Sequence, residues 1–136
     1  MNLKKLVLGS AGLGIAVIGL VYLLAPHLLL DVYGVDIQSP SEANIFRSGS
    51  GSLFVALAIL FFLGAANTRY TRTSLVTLFT FMSGLAVGRL VSFVADGWPH
   101  AVLIAVFVVE AFYAGAAAYV LRVEDSASQL STAAER

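Results

Sequence analysis

The sequence predicts an all-α fold: a four-helix transmembrane bundle with antiparallel neighbours and both termini on the cytoplasmic side. Three observations lead there. Hydrophobic residues make up 59% of the 136-residue chain and charged residues only 12%, against about 45–50% and about 25% in soluble domains. Four apolar runs are each long enough to cross a hydrocarbon core about 30 Å thick, which takes roughly 20 residues of helix. Lys and Arg gather on alternate linkers, as the positive-inside rule requires of a chain that crosses four times.

The composition excludes several classes at once. A soluble domain of this size must cover a large surface with polar groups, and eight basic plus eight acidic side chains do not suffice. Mean hydropathy is +0.89. A soluble globular enzyme and a disordered chain are therefore excluded. Zero net charge leaves no electrostatic footprint for nucleic acid. Cysteine is absent, so there is no disulfide, thiolate metal site or cysteine nucleophile. Two histidines are too few for a histidine-only metal cage.

The first run, Leu6 to Ala25, is longer than the core of a signal peptide and is followed by Pro26 rather than a small-residue cleavage site. It predicts a retained helix over 6–25. In the linker that follows, Leu28, Leu29, Val32 and Tyr33 keep a helical rhythm, which predicts a short interfacial helix stopped by Gly34. Ser39-Pro40-Ser41-Glu42 then reads as a capping box, with Ser39 as N-cap, Pro40 first in the helix and Glu42 reaching back to the cap. The second helix is therefore predicted over 40–66, starting before its apolar run of Ser48 to Ala66.

The third and fourth helices are predicted over 75–95 and 101–121, separated by the turn Asp96-Gly97-Trp98-Pro99-His100. Residues 1–122 form one transmembrane domain. Residues 123–136, VEDSASQLSTAAER, read as a polar, disordered cytoplasmic tail. Lys4, Lys5, Arg69, Arg72 and Arg122 fall on one side of the membrane; Asp31, Asp36, Glu42 and Asp96, with Arg47, fall on the other. This distribution places both termini in the cytoplasm and the protein in the cell (inner, cytoplasmic) membrane. Tyr22, Tyr33, Tyr70 and Trp98 lie at the predicted boundaries, where an aromatic belt accounts for them.

Two ionisable residues lie inside apolar runs: Arg89 in the third and Glu110 in the fourth. A central charge costs about 2.5–3.5 kcal/mol on the insertion scale, so its retention needs a reason. Counted from the same membrane face, Arg89 is about 9 Å deep and Glu110 about 13 Å at 1.5 Å per residue. An arginine side chain spans that difference, which predicts an Arg89–Glu110 pair. Ser92 and Asp96 share a helical stripe with Arg89, Asn44 shares one with Arg47, and Tyr113 lies one turn below Glu110. The candidate ligand-binding set is therefore Asn44, Arg47, Arg89, Ser92, Asp96, Glu110 and Tyr113, converging in the outer half of the bundle. Two arginines near one carboxylate favour an anionic or strongly polar head group. Charges that merely neutralise one another and fix helix register are the competing reading.

Small residues predict close helix packing: Ser48 to Ser52, Gly84 and Gly88, Ser10 and Gly14, Ala16 and Gly19, and Ala111, Gly115 and Ala118. No nucleophile–base pair, metal set or cofactor motif accompanies Glu110, so a non-enzymatic role without metal or cofactor is expected.

The order of these features resembles a family of small bacterial membrane proteins catalogued as domain of unknown function 4345. The likeness runs from about Leu6 to Arg122. It rests on Ala25-Pro26, Tyr33-Gly34, Arg47 followed by small residues to Gly51, Gly84 to Arg89, Asp96-Gly97 and Glu110. The run Ser48-Gly49-Ser50-Gly51 departs from the Gly-Gly pair expected there. The resemblance implies a four-helix membrane protein and no particular activity. The expected partners are the lipid bilayer and a small amphipathic or anionic ligand or lipid. The alternative is a structural or accessory subunit bound to another membrane protein or to a second copy of itself.

Overall fold

The computed structural model describes residues 2–134, with side chains described for residues 2–126. Its regular elements are all helical. Helix α1 spans Leu3–Leu24. The chain turns at buried Pro26 into a single turn of helix, α2 (His27–Leu30), which tightens into a 3-10 turn over Asp31–Tyr33. Gly34 stops it with φ at 72°, a left-handed conformation that glycine adopts without a side-chain clash. The reversal is closed by the Val35 N–H, which donates to the Leu30 carbonyl at 2.9 Å.

Helix α3 (Pro40–Phe46), a π-helical segment (Arg47–Ser52) and α4 (Leu53–Ala66) form one continuous helix of 27 residues. It begins where the capping box predicts. The Ser39 hydroxyl accepts from the Glu42 N–H at 3.2 Å. The Glu42 carboxylate accepts from the Gln38 N–H at 2.7 Å, one residue ahead of the cap. The π segment is not legible from hydrophobic pattern. Its composition explains how it is tolerated: serine hydroxyls serve carbonyls in the widened turn, Ser48 to Asn44 at 2.8 Å and Ser52 to Arg47 at 3.2 Å.

Helix α5 covers Thr68–Ala95, starting well before the predicted Leu75. The cause is local. Asn67 caps it, its side-chain oxygen accepting from the Arg69 N–H at 3.0 Å. The Thr71 hydroxyl also donates to the Gly64 carbonyl at 2.7 Å, serving a carbonyl at the end of the preceding helix. The polar stretch read as a linker is thus the first two turns of a helix. Helix α6 covers Ala101–Ala134 and runs past the predicted end at Leu121. The acidic residues just past that end are tied to the bundle: Glu124 accepts from Lys4 Nζ at 2.7 Å, and Asp125 pairs with Arg72. Val123–Ser126 therefore continue the helix where fraying is expected, because cations from α1 and α5 stand opposite their acids. The side chains of the remaining tail lie outside the described residues.

Helix α1 packs along α4, α4 along α5 and α5 along α6, with α6 meeting α1 to close the ring. The core sits where all four meet, and Leu8, Phe61, Leu75, Leu78 and Ala117 are fully buried there. Glycines set two of the helix approaches. A Cβ on Gly51 would stand 2.7 Å from the Leu23 backbone nitrogen, and one on Gly64 would overlap the Ser74 side chain. Ser74 is itself fixed by donating to the Leu60 carbonyl at 2.8 Å. Gly14, Gly84, Gly88 and Gly115 face open space, so the small faces of α5 and α6 do not mediate packing within this chain.

Among the described residues, four helices are long and apolar enough to cross a membrane. Each turns large apolar side chains outward, among them Leu13, Ile59, Val87, Val91 and Phe112. In water such continuous apolar surface drives association; against lipid tails it is the surface that matches the surroundings.

Candidate functional site

Arg89 projects from α5 and Glu110 from α6, and the two meet as a fork on a fork. Arg89 Nε donates to Glu110 Oε2 at 2.7 Å, and Nη2 donates to Oε1 at 2.9 Å. This two-point geometry is the strongest form of carboxylate recognition a side chain offers. The partners differ in access. The Glu110 side chain is 6% accessible and that of Arg89 is 26%. The carboxylate is covered, and the guanidinium is the half of the pair that faces outward.

The pair does not end in packed side chains. It borders a cavity of about 350 Å³ that all four helices line. The walls are mainly apolar, with Ile18 from α1, Phe54 from α4, Met82 and Leu85 from α5, and Val106 and Val109 from α6. Tyr22, Tyr33 and Ser50 add hydroxyl-bearing side chains. Tyr22 is held between two rings, stacked on Phe46 and edge-on to Phe54. Tyr33 arrives from the turn after α2, and Ser50 from the π segment. An apolar chamber with a few polar groups in it is the usual form of a small-molecule site, at the lower end of the volume range of about 300–1,000 Å³.

The remaining residues of the predicted set do not converge on the pair. Arg47 is exposed and donates through Nη1 to the Leu23 carbonyl at 3.0 Å, serving the last turn of α1. Asn44 is exposed one turn earlier. Ser92 and Asp96 bond each other at 2.8 Å on the exposed end of α5. Ser92 lines a second, shallower groove with Gly84, Gly88 and Pro99, and Arg89 borders that groove as well. Tyr113 lines a separate groove against α1, with Val7 and Ser10. Among the described residues, no three His, Cys, Asp or Glu side chains stand close enough to share a metal ion.

Tyr22, Tyr33 and Ser50 are the polar cavity residues that the predicted ligand-binding set leaves out. The two tyrosines read in the sequence as membrane-boundary aromatics, because their spacing from the apolar runs fits that role equally well. The available signal for Tyr33 is the Gly34 stop, which folds the chain back over the bundle.

Four apolar helices around one intramembrane ion pair define a membrane protein of unassigned activity. Residues 3–121 match the family described as Domain of unknown function (DUF4345), and the chain belongs to that family. No curated protein and no solved structure matches the chain.

Proposed function

We propose that this is a non-enzymatic, multi-pass protein of the cytoplasmic membrane that holds a small amphipathic molecule or lipid in the cavity beside Arg89 and Glu110. The observation that carries the reading is that the ion pair borders a chamber of about 350 Å³. A pair retained only to fix helix register needs no such space. The bundle is read as antiparallel with both ends cytoplasmic. The gathering of Lys4 and Arg72 with Glu124 and Asp125 supports the antiparallel arrangement, since it brings three helix ends to one place, and the Lys and Arg distribution supports the cytoplasmic side. The cavity then lies in the outer half, away from these charges.

Native mass spectrometry of the protein purified from membranes tests the reading. A bound small molecule is expected in the wild type and is lost in Val106→Trp, which fills the chamber one turn from Glu110. Equal retention in both proteins would remove the cavity as the site.

A second reading, an accessory or self-associating subunit, is favoured by one observation. Gly84 and Gly88 make a small-residue face on α5 that meets nothing in this chain. Gly84→Leu would then abolish co-purification of the partner or second copy and leave small-molecule retention intact.

A further inference from the structure

Taking the cavity as a binding site, which rests on the reading above, we infer that its occupant carries an uncharged head group offering acceptor oxygens. The fitting class is an apolar body ending in a ketone, ester or quinone-type carbonyl. The argument begins with charge. Arg89 and Glu110 are the charged residues that line the chamber, and their two-point contact leaves the pair neutral. The second cation that would favour an anion is Arg47, which does not line the cavity and is committed to the Leu23 carbonyl. An anionic head would therefore leave one uncompensated negative charge beside Glu110 in an apolar chamber, a strongly unfavourable arrangement.

Hydrogen-bonding capacity then decides between uncharged heads and cations. A guanidinium has five N–H donors and no acceptor. Two donors of Arg89 are used by Glu110, which leaves three. Both Glu110 oxygens already accept from Arg89, and the carboxylate is the covered partner. The polar face presented to an occupant is thus rich in donors. An ammonium head adds an uncompensated positive charge to the same apolar chamber and finds no acceptor on Arg89, only the hydroxyl oxygens and the covered carboxylate. A carbonyl oxygen brings only lone pairs and matches the guanidinium, and the tyrosine and serine hydroxyls can donate to it as well. The apolar walls contributed by all four helices then take the hydrocarbon part.

Three probes with one hydrocarbon chain separate the possibilities: methyl dodecanoate, dodecanoate and dodecylamine. Each is added to the full-length protein in detergent, at a pH that keeps the acid ionised and the amine protonated. Occupancy is read by native mass spectrometry as the adduct that Val106→Trp removes. The ester is expected to bind at least about tenfold more tightly than either ion, a difference of ~1.4 kcal/mol. In Glu110→Gln the freed guanidinium charge reverses the order, and dodecanoate becomes the tightest of the three. Dodecanoate or dodecylamine equalling the ester in the wild type overturns the inference and leaves the cavity reading standing. Adducts of all three that persist in Val106→Trp overturn the cavity reading, and the inference with it. The wild-type ranking decides the matter even if Glu110→Gln does not fold.

Discussion

Arg89 and Glu110 join α5 to α6 through two parallel hydrogen bonds, at 2.7 Å and 2.9 Å, with the arginine the more accessible partner. Removing one partner strands the other in an apolar bundle. Arg89→Met and Glu110→Met should each lower stability by about 3–5 kcal/mol, while the double variant recovers most of that loss. Thermal unfolding in detergent checks this. A double variant no more stable than either single one would show that the pair contributes more than mutual neutralisation.

Glycines that look alike in sequence should respond in opposite directions. Gly64→Ala forces a methyl into the Ser74 side chain and should cost about 1–3 kcal/mol, the range for overpacking. Gly84→Ala and Gly88→Ala place theirs in open space and should stabilise the helix by roughly 0.5–1 kcal/mol each. The same unfolding measurement ranks all three. Destabilisation by either α5 substitution would mean that a partner covers that face.

The polar end of α6 should be held weakly but specifically. Lys4 and Glu124 are about equally accessible, at 27% each, and a partly exposed pair of this kind contributes at most about 1 kcal/mol. Hydrogen exchange at residues 122–126 should accelerate in Lys4→Gln and, more weakly, in Arg72→Gln, whose pair is more exposed. Raised salt should mimic both substitutions. Exchange that ignores the substitutions and salt would mean that the helix holds by propensity alone.

Topology is open to a clean test because the chain has no cysteine. Asp36→Cys and Ser126→Cys each introduce one thiol at an exposed position. A membrane-impermeant maleimide should label the first in intact cells and the second only after lysis. The opposite result would invert the orientation inferred from Lys and Arg.

Much of this molecule is legible in local sequence. The Ser39 cap and the Gly34 stop are decided within a few residues, and both stand where the sequence puts them. The Arg89–Glu110 pair is also legible, because depth along two helices separated by one turn is simple arithmetic. The early start of α5 is less so: Asn67 and Thr71 serve backbone groups of the junction, and polar residues in that role read as a linker.

Sequence alone determined the number of apolar spans and the presence of one ionisable pair at depth, because hydrocarbon thickness and charge insertion act on each helix separately. The tertiary structure decided which residues surround that pair. A helix apolar on every face has no polar side to mark what points outward, so pattern does not tell which glycine meets a neighbour and which meets open space. Close backbone fit decides that, as at Gly51 against Leu23. The same packing turned Arg47 onto a helix-end carbonyl, carried Tyr113 to another groove and folded Tyr33 over the chamber. What remained beside Arg89 was Glu110 and a mainly apolar cavity rather than the rest of the predicted polar set.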